Sequence, residues 1–491
     1  MGQPRSGKSC FCQDCMRDHL ISSNGFTLID GKGTLYDDVL SDLAYVQPTN
    51  PIVLLNLTHP DFITPVDFFS LPKGADVGAH VADLTQTIVN LWGAANTDQT
   101  PSLDRMLKSL LTVAALQKLP LPIVAHLLEK PKKELREAVI QSLPDGDVKQ
   151  HWLQVQYFST LKTNYDRWLK EVGPTQTRLG RFIGSRTMRM FTGLPTTTTV
   201  KDWIDQKAIV LVKIAQSPNL SRESARVFAG LLLRAFLTAA MGNMDDPKPY
   251  FLYCDEAQQY VTSDLADMLD LTVASGLRVT VIHHHLDQPP FNTNIHLRSS
   301  LDMNAPIKVI FEGLSLSEKK RYAEDWRIHE LNQRHKKEDR FTYVTDYTEE
   351  GYETTTETSG EIPGGSTHST STSFGTRLIP SARKERTGQD DYTREEVLSQ
   401  LTEQFYLKRQ QCMVKLPTGA FRYTVPQVEE FLQNPRSMLA FLKALQSTAI
   451  PLHEADQILE TEERKFLERG NDYESKGGRP KKRPARLHPQ G

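Results

Sequence analysis

Cysteine is scarce in this chain. Five among 491 residues cannot frame a disulfide-stapled fold of this length, so a reduced, cytoplasmic setting is the default and folding rests on apolar burial. Net charge is nearly absent: 58 Lys and Arg against 60 Asp and Glu leave no global basic field that would draw the whole protein onto nucleic acid. Long hydrophobic runs are missing too. The stretch 227–241 comes nearest to membrane-spanning length, but it is short and Arg234 breaks it. The first residues show no secretory-signal pattern, and no repeat of fixed period runs along the chain.

What is present is the composition of a globular protein, 38% hydrophobic and 24% charged, with length for roughly two to four domains. Apolar, β-branched runs recur at 26–29, 52–56, 208–214, 250–254, 278–282 and 307–311. Runs this uniform suit strands covered on both faces, as in a parallel sheet. Between the last four lie helical patterns: residues 221–241 place Val227, Phe228, Leu231, Leu232, Ala235 and Phe236 on one face, and 263–275 ends at Gly276, a C-cap residue. Strand and helix alternate, which argues for a doubly wound α/β core. Residues 96–205 break that rhythm with helical patterns at 103–116, 122–128, 133–142 and 149–172.

The segment Gly2-Gln3-Pro4-Arg5-Ser6-Gly7-Lys8-Ser9 fits G-x-x-x-x-G-K-[ST] without a gap. Glycines let the backbone curl so that its N–H groups face a β-phosphate, Lys8 neutralises the β and γ oxygens, and the Ser9 hydroxyl can ligate Mg²⁺. A helix opening at Cys10 adds its N-terminal dipole. Residues Gly2 through Ser9 together with Cys10 are therefore the expected ATP-binding stretch. The same start matches an N-myristoylation pattern through Gly2 and Ser6, but the phosphate loop already accounts for both. In P-loop folds a central strand delivers the chain into this loop, yet the sequence opens at Met1. The expectation is that an upstream strand is missing, and that residues 1–491 alone fold poorly or bind nucleotide weakly.

A second element completes the chemistry. Tyr250-Phe251-Leu252-Tyr253-Cys254-Asp255-Glu256 is an apolar strand ending in two carboxylates. At the C-terminal edge of a buried strand Asp255 can hold magnesium, and Glu256 can polarise the attacking water.

Three ordered blocks carry a resemblance: Leu28-Ile29-Asp30-Gly31-Lys32-Gly33, then Cys254-Asp255-Glu256-Ala257-Gln258-Gln259-Tyr260, then Val281-Ile282-His283-His284-His285-Leu286-Asp287-Gln288. Over residues 1–330 the chain resembles the HerA/FtsK-type ATPases, nearest to the conjugative coupling proteins of type IV secretion. The resemblance implies a RecA-like P-loop core that works as a homo-hexamer, hydrolyses ATP with Mg²⁺ and moves DNA through its ring, alongside secretion or DNA-processing partner proteins. It also implies membrane contact only if the full-length form carries an upstream anchor. The expected organisation is 1–95 and 206–330 as the two halves of the core, 96–205 as an inserted helical subdomain, 331–390 as a flexible polar insert, 391–475 as a small C-terminal unit and 476–491 as a basic tail.

The resemblance assigns His284 to the place where relatives carry a glutamine that senses the γ-phosphate, a role histidine can fill as a donor. Two arginines common in relatives are replaced, by Val273 and near Glu312; Arg181, Arg186 and Arg189 are the substitutes that can be named, although a solvated basic helix face is the commoner account of such a cluster. A nucleotide-gated scaffold with slow turnover is the alternative these losses favour. His283, His284 and His285 cannot converge on one ion, because neighbours on a strand point to opposite faces. Cys10, Cys12 and Cys15 point to different helix faces, so packing rather than zinc is expected of them. The tail Gly478-Arg479-Pro480-Lys481-Lys482-Arg483-Pro484-Ala485-Arg486 is similar to minor-groove hooks; short tails of this kind are more often merely solubilising, and the DNA reading would show as a salt-sensitive, weakly sequence-selective affinity.

Overall fold

The computed structural model describes residues 1–475 except 59, 60, 70, 72, 73, 93–100, 161–163, 197, 262, 263, 272, 273, 328–335, 429–434, 447 and 448. Val273 and the basic tail lie outside the described residues. The chain divides into two compact units. One holds Met1–Gly313, Lys408–Pro417 and the described chain from Phe421 onward; the other holds Leu314–Leu407 with Thr418–Ala420.

The first unit is built on five strands: β1 (Phe26–Asp30), β2 (Ile52–Asn56), β3 (Ile209–Lys213), β4 (Tyr250–Asp255) and β5 (Leu277–Val281). They pair in parallel in the order β2-β3-β1-β4-β5. Central β1 is buried along its whole length and β3 nearly so, as their apolar sequences require. Each Leu, Ile or Val withdrawn from water there contributes about 1.5–3 kcal/mol. Parallel strands cannot be joined by tight turns, so helices carry the chain between them: α1 (Lys8–Ile21) precedes β1 and α2 (Thr34–Val46) follows it. Helix Arg222–Met241, capped by Ser221 accepting the Ser224 N–H, links β3 to β4. By length and composition that helix could cross a membrane, but 72% of its apolar window is buried within the protein.

Within 96–205 the chain forms helices Pro101–Gln117, Lys133–Ser142, Asp147–Thr160, Tyr165–Ile183 and Arg186–Gly193 among others. Over the pattern read as one helix at 149–172 the structure describes Asp147–Thr160 and Tyr165–Ile183. The run 307–311 also differs from expectation. It forms β6 (Lys308–Phe311), which pairs antiparallel with β7 (Gln411–Leu416) instead of joining the parallel sheet. Its half-exposed Lys308 and Val309 are the sequence trace of that placement.

In the second unit the polar stretch expected as a flexible insert forms a long antiparallel hairpin, Lys336–Ile362 against Gly365–Asp391. Thr and Tyr favour extended backbone even where little is buried, and the side chains described there are almost all exposed.

Candidate nucleotide site

The C-terminal ends of parallel strands form a crevice edge, and here that edge is charged. Asp30 at the end of β1 stands in register with Lys213 of β3 on one side and Asp255 of β4 on the other. Asp30 is fully buried. Its Oδ1 accepts the N–H groups of Lys32 and Gly33, both at 2.7 Å, and Oδ2 accepts that of Tyr36 at 2.8 Å. These bonds fold the chain directly into α2 through Gly33, whose φ of 91° suits glycine. The same turn returns Lys32 to the end of β4, where its ammonium pairs with the Glu256 carboxylate.

Glu256 sits at φ 52°, left-handed backbone that non-glycine residues adopt at a cost and that collects at functional sites. Its carboxylate accepts from Lys32 and, at 2.6 Å, from the Gln258 amide, with His284 Nε2 3.1 Å away. Burial alone would raise its pKa, but Lys32 and His284 outweigh burial and hold it below the ordinary carboxylate value. Asp255 behaves in the opposite way: burial, then Asp30 and Glu256, push its acid up to about 7. The two adjacent carboxyl groups are thus shifted in opposite directions.

The phosphate loop reaches this edge from the β6 side. Phe311 N–H donates to Met1 O at 2.8 Å, Gly2 N–H to His284 O at 3.0 Å, and Gln3 N–H to Glu312 O at 2.9 Å. Gly2 has no room for a side chain, since a Cβ would meet Phe311 Cβ at 2.6 Å. Gly7, at φ 112°, turns the loop into α1. Lys8 is buried, and its Nζ donates to the carbonyls of Gly2 at 2.5 Å and Gln3 at 2.8 Å, 3.4 Å from His284 Nδ1. Burial lowers its pKa to about 8 although Glu256 pulls the other way. His284 therefore touches Lys8 through one ring nitrogen and Glu256 through the other.

A cleft of ≈ 170 Å³ is lined by Gly7, Lys8, Ser9, Lys32, Asp255 and Glu256, with Pro4, Arg5, Cys10, Arg409 and Gln410 completing it. Residues 8 and 9 thus meet residues 255 and 256 on one surface. Gly2, Gln3, Ser6 and His284 do not line the cleft: Gly2 and Gln3 supply carbonyls to Lys8, and the buried Ser6 hydroxyl finds no partner among the described residues. A larger cavity of ≈ 510 Å³, bordered by Asp61, Arg186 and Leu452, contains none of the motif residues.

Asp30 and Lys32 belong to the first block of the resemblance, Leu28-Ile29-Asp30-Gly31-Lys32-Gly33, but the sequence alone assigns neither a role. It also had no signal for Arg409. The arginines offered as substitutes are engaged within their own chain: Arg186 Nε donates to Asp456 at 3.0 Å, and Arg189 pairs with Glu463. The side chain of Arg181 lies outside the described residues. The three histidines separate, with His283 buried against Phe291, His284 half-buried in the cluster and His285 exposed.

No family model matches the chain, and no curated protein matches it in sequence. Solved structures do match. The plasmid coupling protein TrwB in complex with ADP and Mg²⁺ superposes with a TM-score of 0.52 at 12% identity, over 88% of this chain and 86% of that one. The chain has the coupling-protein fold. TrwB in complex with a non-hydrolysable ATP analogue gives 0.50 at 12% identity over the same shares. VirB4 of Thermoanaerobacter pseudethanolicus, at 16% identity over 66% of this chain and 78% of its own, reaches 0.43. The coupling-protein fold is a P-loop α/β architecture of RecA-like type, and the parallel sheet with its loop-to-α1 junction is its core here.

Proposed function

We propose that this chain is an ATP-driven motor of the coupling-protein type, which hydrolyses ATP to move DNA through a ring of like subunits in conjugative transfer or DNA processing. The observation that carries the reading is the convergence of Lys8 and Ser9 with Asp255 and Glu256 on one cleft. TrwB, with the same fold, is a nucleotide-binding protein in its complexes with ADP and Mg²⁺. The DNA and the ring are expectations from the family resemblance.

The residues fit MgATP. A phosphate loop closing onto a helix N-terminus is an anion cradle. Asp255, its acid raised to about 7 by burial among carboxylates, has an unmet demand for positive charge. Among the described residues no three His, Cys, Asp or Glu groups gather to hold a metal. One hydroxyl and one carboxylate suit Mg²⁺ that is shared with phosphates and water rather than caged by protein. When bound, Mg²⁺ would neutralise charge on the phosphates. Ser9 and Asp255 would hold it, and Lys8 would leave the Gly2 and Gln3 carbonyls for phosphate oxygens. Glu256, held ionised by Lys32 and His284, would accept a proton from the attacking water, and His284 would report the state of Lys8 to Glu256.

The second reading is a nucleotide-gated scaffold with slow turnover. Glu256 is already satisfied by Lys32, Gln258 and His284, and Arg186 and Arg189 are paired internally, which favours it. ATP turnover with and without DNA separates the two. DNA-stimulated hydrolysis that Lys8→Ala and Glu256→Gln both abolish supports the motor, whereas ATP binding without turnover or DNA response supports the scaffold.

A further inference from the structure

The nucleotide cleft has one wall from a part of the chain that the motifs do not reach. The turn Lys408–Gln411 lies on the phosphate loop: Gln410 N–H donates to Ser6 O at 3.0 Å, and its Cα stands 3.2 Å from where a Gly7 Cβ would be. The turn is pinned from its other sides as well. Gln411 N–H donates to Lys408 O at 2.9 Å, Lys408 N–H to Gln411 Oε1 at 3.1 Å, and Val425 N–H to Gln410 O at 2.8 Å. Gln410 takes a left-handed φ of 63°, a strained conformation for glutamine that these bonds maintain. Gln411 then opens β7, whose partner β6 contributes Phe311 against Phe11 of α1 at 6.1 Å.

This rigid turn presents Arg409 at the cleft. Arg409 is exposed and no hydrogen bond or ion pair engages it among the described residues. With Arg5, Lys8 and Lys32 it gives the cleft four cations against Asp255 and Glu256, and Lys32 already neutralises Glu256. The surplus is positive, as a site for a polyanion requires. A guanidinium offers five donors in a planar fork matched to phosphate oxygens.

We propose that Arg409 is a ligand of the nucleotide's phosphate chain, supplied by a turn some 400 residues from the phosphate loop. This deepens the ATP-site reading and rests on it.

Binding of MgATP, MgADP and AMP to the full chain, followed by calorimetry, tests the assignment with Arg409→Ala, Arg409→Lys and Lys8→Ala. Arg409→Ala is expected to weaken MgATP about tenfold or more, the worth of a charge-assisted hydrogen bond. Arg409→Lys should recover part of the loss, as a point charge without the fork, and AMP should be least affected. If Arg409→Ala binds MgATP as the parent does while Lys8→Ala does not, the Arg409 assignment is wrong and the ATP site stands. If the parent chain binds no nucleotide, both fall.

Discussion

His284 Nε2 lies 3.1 Å from Glu256 Oε2 while its Nδ1 lies 3.4 Å from Lys8 Nζ, so one imidazole joins the phosphate-loop lysine to the carboxylate at the end of β4. On the proposed reading, a side chain in that position links phosphate occupancy to the base. His284→Ala is expected to lower kcat about tenfold or more, by removing a donor poised for charge development, with a smaller change in KM. His284→Gln, which keeps a donor, should retain more activity than His284→Ala. Equal losses in both variants would remove the linking role.

Lys32 holds Glu256 in its ionised form. Without Lys32, burial governs the carboxyl and raises its pKa. The acid limb of the kcat profile in Lys32→Ala should therefore move to higher pH, while activity well above the limb is largely recovered. An unmoved limb would show that Lys32 does not set this ionisation.

Asp255 has a folded-state pKa raised from 3.8 to about 7. A raised acid contributes stability that is fully present below the unfolded value and is lost as pH rises through the folded one. Thermal stability of the free protein should therefore fall between pH 4 and pH 7 through this group. Asp255→Asn should flatten that fall and be the more stable form at pH 8, by on the order of 1 kcal/mol or more. The same variant should lose the Mg²⁺ dependence of nucleotide binding.

Lys8 has its pKa lowered from 10.5 to about 8 by burial. On the proposed reading phosphates bind the ammonium, so above pH 8 binding must draw in a proton, and affinity should fall by about tenfold per pH unit. Calorimetry in buffers of different ionisation enthalpy reads that proton directly. Lys8→Ala should show no such uptake.

Gly7 combines a φ of 112° with a Cβ position 3.2 Å from Gln410 Cα. Gly7→Ala meets both strain and crowding, and a loss of about 1–3 kcal/mol should appear as a lower Tm together with weakened nucleotide binding. Gly74→Ala, at a φ of 82° with nothing within 4 Å, carries only the strain and should cost less.

The strands were legible because burial on both faces leaves a run of apolar residues and nothing else. β1, β3 and β4 announce themselves in that way. The phosphate loop was legible because its glycines and lysine answer a local backbone demand. What stayed hidden depends on distant contact. Lys32 meets Glu256 across 224 positions, and Gln410 meets Ser6 from the far end of the chain; neither leaves a local pattern. The run 307–311 was misplaced because four apolar residues around Lys308 look alike in a parallel sheet and in an antiparallel pair. The long hairpin escaped because its residues form strand by propensity and pairing, with almost no burial to mark a face.

The account depends on Lys8 and Asp255 acting on the same bound nucleotide. A double-mutant cycle on MgATP affinity, with Lys8→Ala, Asp255→Asn and both together, measures that most directly. The expected result is strong non-additivity, the double variant binding little worse than the weaker of the two single ones. Losses that simply add, or an Asp255→Asn chain that binds MgATP with unchanged affinity and metal dependence, would contradict it.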